Sequence, residues 1–263
     1  MCVGHATPQV QNGLTVELPH LEHLTIRYKG IGFANNMSLF LGTLLTPNLR
    51  ELAFHVLYPL LNRGRLLNES LSFLPLFLQR SQCDTTLRSL SLFIPVDGDI
   101  VISWLRVLPA LTTLRIVSDL YPVGSAHAYD RGEGEGSESA YTVTRRFLEA
   151  LTDEILCQDL EHVELKDCDP RLADAFFVFA ETRGCTLRKY YVDYWRPLPL
   201  PEEELGRRLE ALREKGMGVV WRSRPAPKFV GQTQDGPRDG LEDVVGEEFL
   251  FPYLEDQSFT ISY

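Results

Sequence analysis

No run of apolar residues in this 263-residue sequence approaches the roughly 18–20 that cross a bilayer, so a membrane span is not expected. Cysteine is scarce. Its five copies (Cys2, Cys83, Cys157, Cys168 and Cys185) are odd in number and scattered, which suits a reduced compartment better than a disulfide framework. An excess of basic charge is also missing. The net charge of −10 argues against a nucleic-acid binder driven by phosphate neutralisation. The opening residues "MCVGHATPQVQNG" have neither a basic n-region nor an apolar h-region, and glycine does not occupy the second position. The expected location is therefore cytoplasmic or nuclear, and the two sequons at Asn36 and Asn68 read as coincidental.

Phosphate-binding signatures are lacking too. "GEGEGSESA" (132–140) matches neither G-x-G-x-x-G nor the P-loop, and its glutamates repel phosphate. No C-x-x-C pair exists. His162 with Cys157, Cys168 and Cys185 falls short of a metal site or a Cys–His nucleophile, because strand alternation sends His162 outward while Cys168 turns inward at the repeat's own consensus position. No catalytic set, metal or cofactor is expected.

What the chain does have is repetition. "LEHLTI" at Leu21 and "LEHVEL" at Leu160 are near copies, and "LRELAF" at Leu49, "LRSLSL" at Leu87, "LTTLRI" at Leu111 and "LRKYYV" at Leu187 share their pattern. All six read L-x-x-Φ-x-Φ with Φ apolar, and their starts are 28, 38, 24, 49 and 27 residues apart. The leucine-rich repeat has a period of about 20–29 residues, so the two long intervals imply insertions. Alternate side chains of a strand face opposite sides, so the two Φ residues enter a core that the leading leucine joins from the preceding turn. A short strand cannot bury one face alone, and stacking of like units supplies the missing partner. Leu24, Leu52, Leu90, Leu114, Val163, Leu165 and Cys168 are the expected core.

Between these segments the apolar spacing turns helical. "TRRFLEALTDEIL" aligns Leu148, Leu151 and Ile155. "RLADAFFVFAETRG" aligns Leu172, Phe176 and Phe179, and "PEEELGRRLEALREKG" aligns Leu205, Leu209 and Leu212. "MSLFLGTLLTP" and "DIVISWLRVLP" are shorter helical stretches closed by proline, and "MGVVW" (217–221) reads as a closing strand. Alternating strand and helix predicts an α/β fold with a parallel sheet. The expected form is a leucine-rich-repeat arc, a horseshoe like that of ribonuclease inhibitor, with strands on the concave side and helices on the convex side. The competing reading is a doubly wound α/β enzyme, which calls for nearly continuous apolar strands and no recurring leucine. A repeat fragment with no retained activity is a further alternative. The domain boundaries are an extension at 1–13, the repeats at 14–221 with a flexible insertion at 118–143, and an acidic tail at 222–263. Residues 229–263 hold eight acids against one base, Arg238.

"LEHVELKDC" fits the fuller consensus L-x-x-L-x-L-x-x-C, with Leu160, Val163, Leu165 and Cys168 in register. With "LPALTTLRI" and "LRSLSL", the cysteine-type units resemble the repeat regions of fungal F-box proteins. In that family an F-box docks on a cullin-type ubiquitin ligase while the repeat arc holds the substrate. The resemblance implies a non-enzymatic, protein-binding substrate receptor. No F-box precedes the repeats here, and "LPLPEEELGRRLEALREKG" is read as the last repeat's helix, so a cullin-type ligase becomes a partner only through a longer product. The outward strand residues are the candidate protein-binding set, namely His55, Arg115, His162, Glu164, Lys189 and Tyr191. Arg207, Arg208, Arg213 and Lys215 read as a solvated helix face.

Overall fold

The computed structural model describes residues 15–28, 33–56, 73–94, 96–117, 142–153, 156–194, 200–223 and 261–262. Each leucine-led segment folds as a strand: β2 (His23–Tyr28), β4 (Glu51–Val56), β5 (Ser89–Phe93), β6 (Thr113–Val117), β7 (His162–Cys168) and β8 (Lys189–Tyr194). Two further strands precede or separate them, β1 (Val16–Glu17) and β3 (Leu44–Leu45), and β9 (Gly218–Ser223) is the expected closing strand. The helices among the described residues are α1 (Phe33–Thr43), α2 (Leu74–Ser81), α3 (Gly98–Leu105), α4 (Arg145–Asp153), α5 (Ala173–Thr182) and α6 (Glu202–Glu214).

The main sheet runs β2-β4-β5-β6-β7-β8-β9, seven parallel strands in sequence order with no reversal. A short strand, β10 (Ile261–Ser262), pairs antiparallel with β2 at the edge. β1 and β3 form a separate parallel pair that the apolar spacing did not disclose. The fold is thus α/β with a seven-stranded parallel sheet.

Its regularity has a backbone cause. The carbonyl just before each strand accepts two N–H groups from the start of the next unit. Glu22 O takes those of Arg50 (2.8 Å) and Glu51 (2.9 Å), and Arg50, Arg88, Thr112 and Glu161 repeat the arrangement in turn. The leading leucines Leu21, Leu49, Leu87, Leu111, Leu160 and Leu187 are all buried. Each also donates its N–H to a carbonyl three or four residues earlier, which closes the tight turn that aims it inward. Buried backbone groups are therefore paired at every junction, as a stacked sheet requires.

All seven residues expected in the core are buried, and they join one cluster with the inner faces of the helices. Cys168 needs a device to get there. Strict alternation from Leu165 would turn it outward, but the ladder shifts register between Leu165 and Cys168 and then pairs Cys168 with inward-facing Tyr194. The bulge inserts the extra residue that an L-x-x-C spacing demands.

Two arginines clasp successive helices. Arg80 of α2 donates to the carbonyls of Leu41 (2.6 Å), Leu44 (2.7 Å) and Gly42, beyond or at the end of α1. Arg183, after α5, donates to the carbonyls of Leu151, in the last turn of α4, and of Leu156 and Cys157 beyond it. Helix ends leave carbonyls unsatisfied, and a planar guanidinium can satisfy several at once.

The expected insertion needs its boundary moved. Thr142 and Val143 are buried, and Thr142 Oγ1 accepts the N–H of Val96 at 3.3 Å, so these two residues belong to the core. Residues 118–141, the 1–13 extension and residues 224–260 of the acidic tail lie outside the described residues, as does Ile155 of the expected α4 face. Arg222 and Ser223, assigned to the tail, complete β9.

Candidate binding face

The register of the ladder arranges the outward side chains in rows across the sheet. One row reads His23, Glu51, Ser89, Thr113, His162, Lys189. The next reads Thr25, Ala53, Ser91, Arg115, Glu164, Tyr191, Val220. In a third, Arg27, His55 and Phe93 are in register, as are Asp193 and Arg222 farther along. The six helices pack on the opposite, apolar face of the strands, and no described element covers these rows.

The six residues singled out from the sequence all lie on this face, but in two groups. His55 sits in the β4–β5 half, with its ring stacked on Phe93 at 4.3 Å between centroids and 11° between planes. Burial, and secondarily the neighbouring Arg27 charge, hold its pKa down at about 4, so His55 is neutral at pH 7.

The other five gather in the β6–β8 half, in register on neighbouring strands. Glu164 accepts Lys166 Nζ at 2.7 Å, and Arg115 Nε lies 3.4 Å from its other carboxylate oxygen. Tyr191 stands between two cations, Lys166 Nζ at 5.7 Å and the Arg222 guanidinium at 5.6 Å from its ring centre. Its hydroxyl donates to Asp193 Oδ2 at 3.4 Å. Burial and then the Asp193 charge raise the Tyr191 pKa, so the phenol stays protonated in the neutral range. His162 and Lys189 are in-register neighbours at the head of the same two strands.

Lys166, Asp193, Arg222 and Val220 complete this group. The first two were legible from strand alternation, while Arg222 and Val220 depended on carrying the ladder one strand further, into β9. The alternation rule overstates exposure at three positions, since Ser91, Val117 and Asp193 face this side yet are buried.

Cys83, Cys157 and Cys168 are buried in structural positions, while Cys185 is exposed. Cys157 donates its thiol toward the Leu105 and Leu108 carbonyls, and burial pushes its pKa up to about 12. Burial likewise pushes Cys83 up to about 11, which leaves neither available as a thiolate. Compared with family models, curated proteins and solved structures, the chain matches none of them.

Proposed function

We propose that this chain is a non-enzymatic protein-binding module, a leucine-rich-repeat arc whose concave side is the uncovered face of the sheet. One observation carries the reading. His162, Glu164, Lys189 and Tyr191 stand in register on two adjacent strands, on the face opposite the helices, where one ligand can touch all four. Their apolar neighbours Val163, Leu165, Tyr190 and Val192 are committed to the core. A half-buried aromatic held among charged groups is the kind of side chain that dominates interface energies. In the fuller form of the proposal, the arc is the substrate-recognition region of an F-box-like ubiquitin-ligase receptor.

Affinity purification of the full chain, with Tyr191→Ala and a helix-face variant, Arg213→Ser, run in parallel, tests both levels. A protein ligand on this face is weakened by more than about 1 kcal/mol with Tyr191→Ala and is kept with Arg213→Ser. The melting temperature of Tyr191→Ala should stay close to that of the parent, since the residue contributes little to the core. Partners retained by Tyr191→Ala and lost with Arg213→Ser would place binding on the helices instead. Recovery of a cullin adaptor supports the ligase role, and its reproducible absence counts against it.

A further inference from the structure

The uncovered face is electrically lopsided. Its β2–β5 half carries one described cation, Arg27, and one anion, Glu51, the latter 3.0 Å from His23 Nδ1. Among the described side chains, the β6–β9 half carries Arg115, Lys166, Lys189 and Arg222 against Glu164 and Asp193. Both of those anions are already engaged within the face. Glu164 is shared by Arg115 and Lys166, and Asp193 is 1% exposed. What solvent meets there is positive: Arg115, Lys189 and Arg222 are exposed, and neither Lys189 nor Arg222 is in an ion pair among the described residues. Between them lies an apolar spot, where Tyr191 pairs in register with Val220, 43% exposed. An apolar centre with a mainly positive rim has the layout of an interface core and its surround.

We propose that this end of the face holds a short acidic segment of the protein ligand. Its carboxylates meet Arg115, Lys189 and Arg222, and an apolar side chain rests on Tyr191 and Val220. This rests on the reading of the uncovered face as the binding face and adds the chemistry of the partner. The span from β6 to β9 is three interstrand steps, about 14 Å, which roughly four residues of extended peptide cover. A nucleic acid is the poorer fit. Phosphates recur at every nucleotide and one would fall opposite Glu164, whereas a peptide can set its apolar residue in that row beside Tyr191 and Val220.

Fluorescence anisotropy on the full chain decides it, using labelled peptides about ten residues long that contain leucine with glutamate, glutamine or lysine. An oligothymidylate serves as the nucleic-acid probe. The glutamate peptide alone is expected to bind, more weakly as salt is raised. Lys189→Ser/Arg222→Ser should weaken it about tenfold or more at low salt, and Lys189→Glu/Arg222→Glu should transfer preference to the lysine peptide. Arg213→Ser, on the exposed side of α6, should leave binding unchanged. Equal binding of the glutamate and glutamine peptides, a smaller loss in the double variant, preference for the oligonucleotide, or no binding of any probe each overturns the proposal. If a purified partner depends on Tyr191 but is not displaced by the glutamate peptide, the acidic-segment proposal fails alone. If no partner responds to Tyr191→Ala, the binding-face reading itself has failed.

Discussion

His55 shows how a residue selected for one reason can matter for another. Strand alternation places it on the outer face, but stacking on Phe93 and burial make it as much a packing element as a contact. In the unfolded chain an imidazole takes up its proton near pH 6.5, whereas here it does so only near 4. Between those values the unfolded state binds more protons, so stability falls as the pH drops through the window and is fully present above about 6.5. His55→Phe preserves the stacked ring and removes the titration. The stability difference between parent and variant should move in favour of the variant as pH is lowered from 6.5 to 4, measured by urea unfolding at several pH values. A difference that stays constant over that range means His55 is protonated as readily in the folded protein as in the unfolded one. The carboxylates that also titrate there are common to both proteins and cancel.

At the scale of elements, two helical glycines predict opposite signs for one substitution. Gly98 opens α3, where the Asp97 side chain accepts the Asp99 N–H at 2.8 Å. A Cβ at Gly98 would lie 2.7 Å from the Thr142 carbonyl, and Thr144 Oγ1 nearby accepts the Phe147 N–H of α4 at 3.1 Å. The starts of α3 and α4 are therefore locked together through residues 142–144, with no room for a methyl group. Gly206 lies inside α6 with open space around its missing side chain. Gly98→Ala should destabilise by about 1–3 kcal/mol, because a backbone carbonyl is the obstacle. Gly206→Ala should stabilise by about 0.4–1 kcal/mol, through helix propensity and a less disordered unfolded chain. Equilibrium denaturation of both variants checks the pair. Stabilisation by Gly98→Ala would show that α3 and α4 are not joined at residues 142–144.

Across the whole molecule, what could be read from the sequence is what repeats. L-x-x-Φ-x-Φ reports a strand, its buried side and its place in the order, because each unit meets the same environment as the last. Features that break the repeat were hidden for equally physical reasons. Arg80 and Arg183 satisfy carbonyls more than twenty residues away in sequence, which no local pattern records. The bulge at Cys168 cancels one phase error with another, and the β1–β3 pair is too short to show a period.

The same regularity makes a claim about unfolding. The principal contacts join successive strands and successive helices, so each unit is held chiefly by its two neighbours. In such an array, stability is close to a sum of unit and nearest-neighbour terms. Leu90 of β5 is fully buried with strands on both sides, while Leu24 of β2 is buried near the sheet edge. Leu90→Ala should remove about 2–5 kcal/mol through lost transfer energy and the cavity left behind. Amide hydrogen exchange should then show protection falling on β4, β5 and β6 first and spreading outward. Leu24→Ala should reduce protection on β2 and β4 while β7 and β8 keep that of the parent. If both variants lower protection equally on every strand, the seven strands open as one unit, and the nearest-neighbour description is wrong.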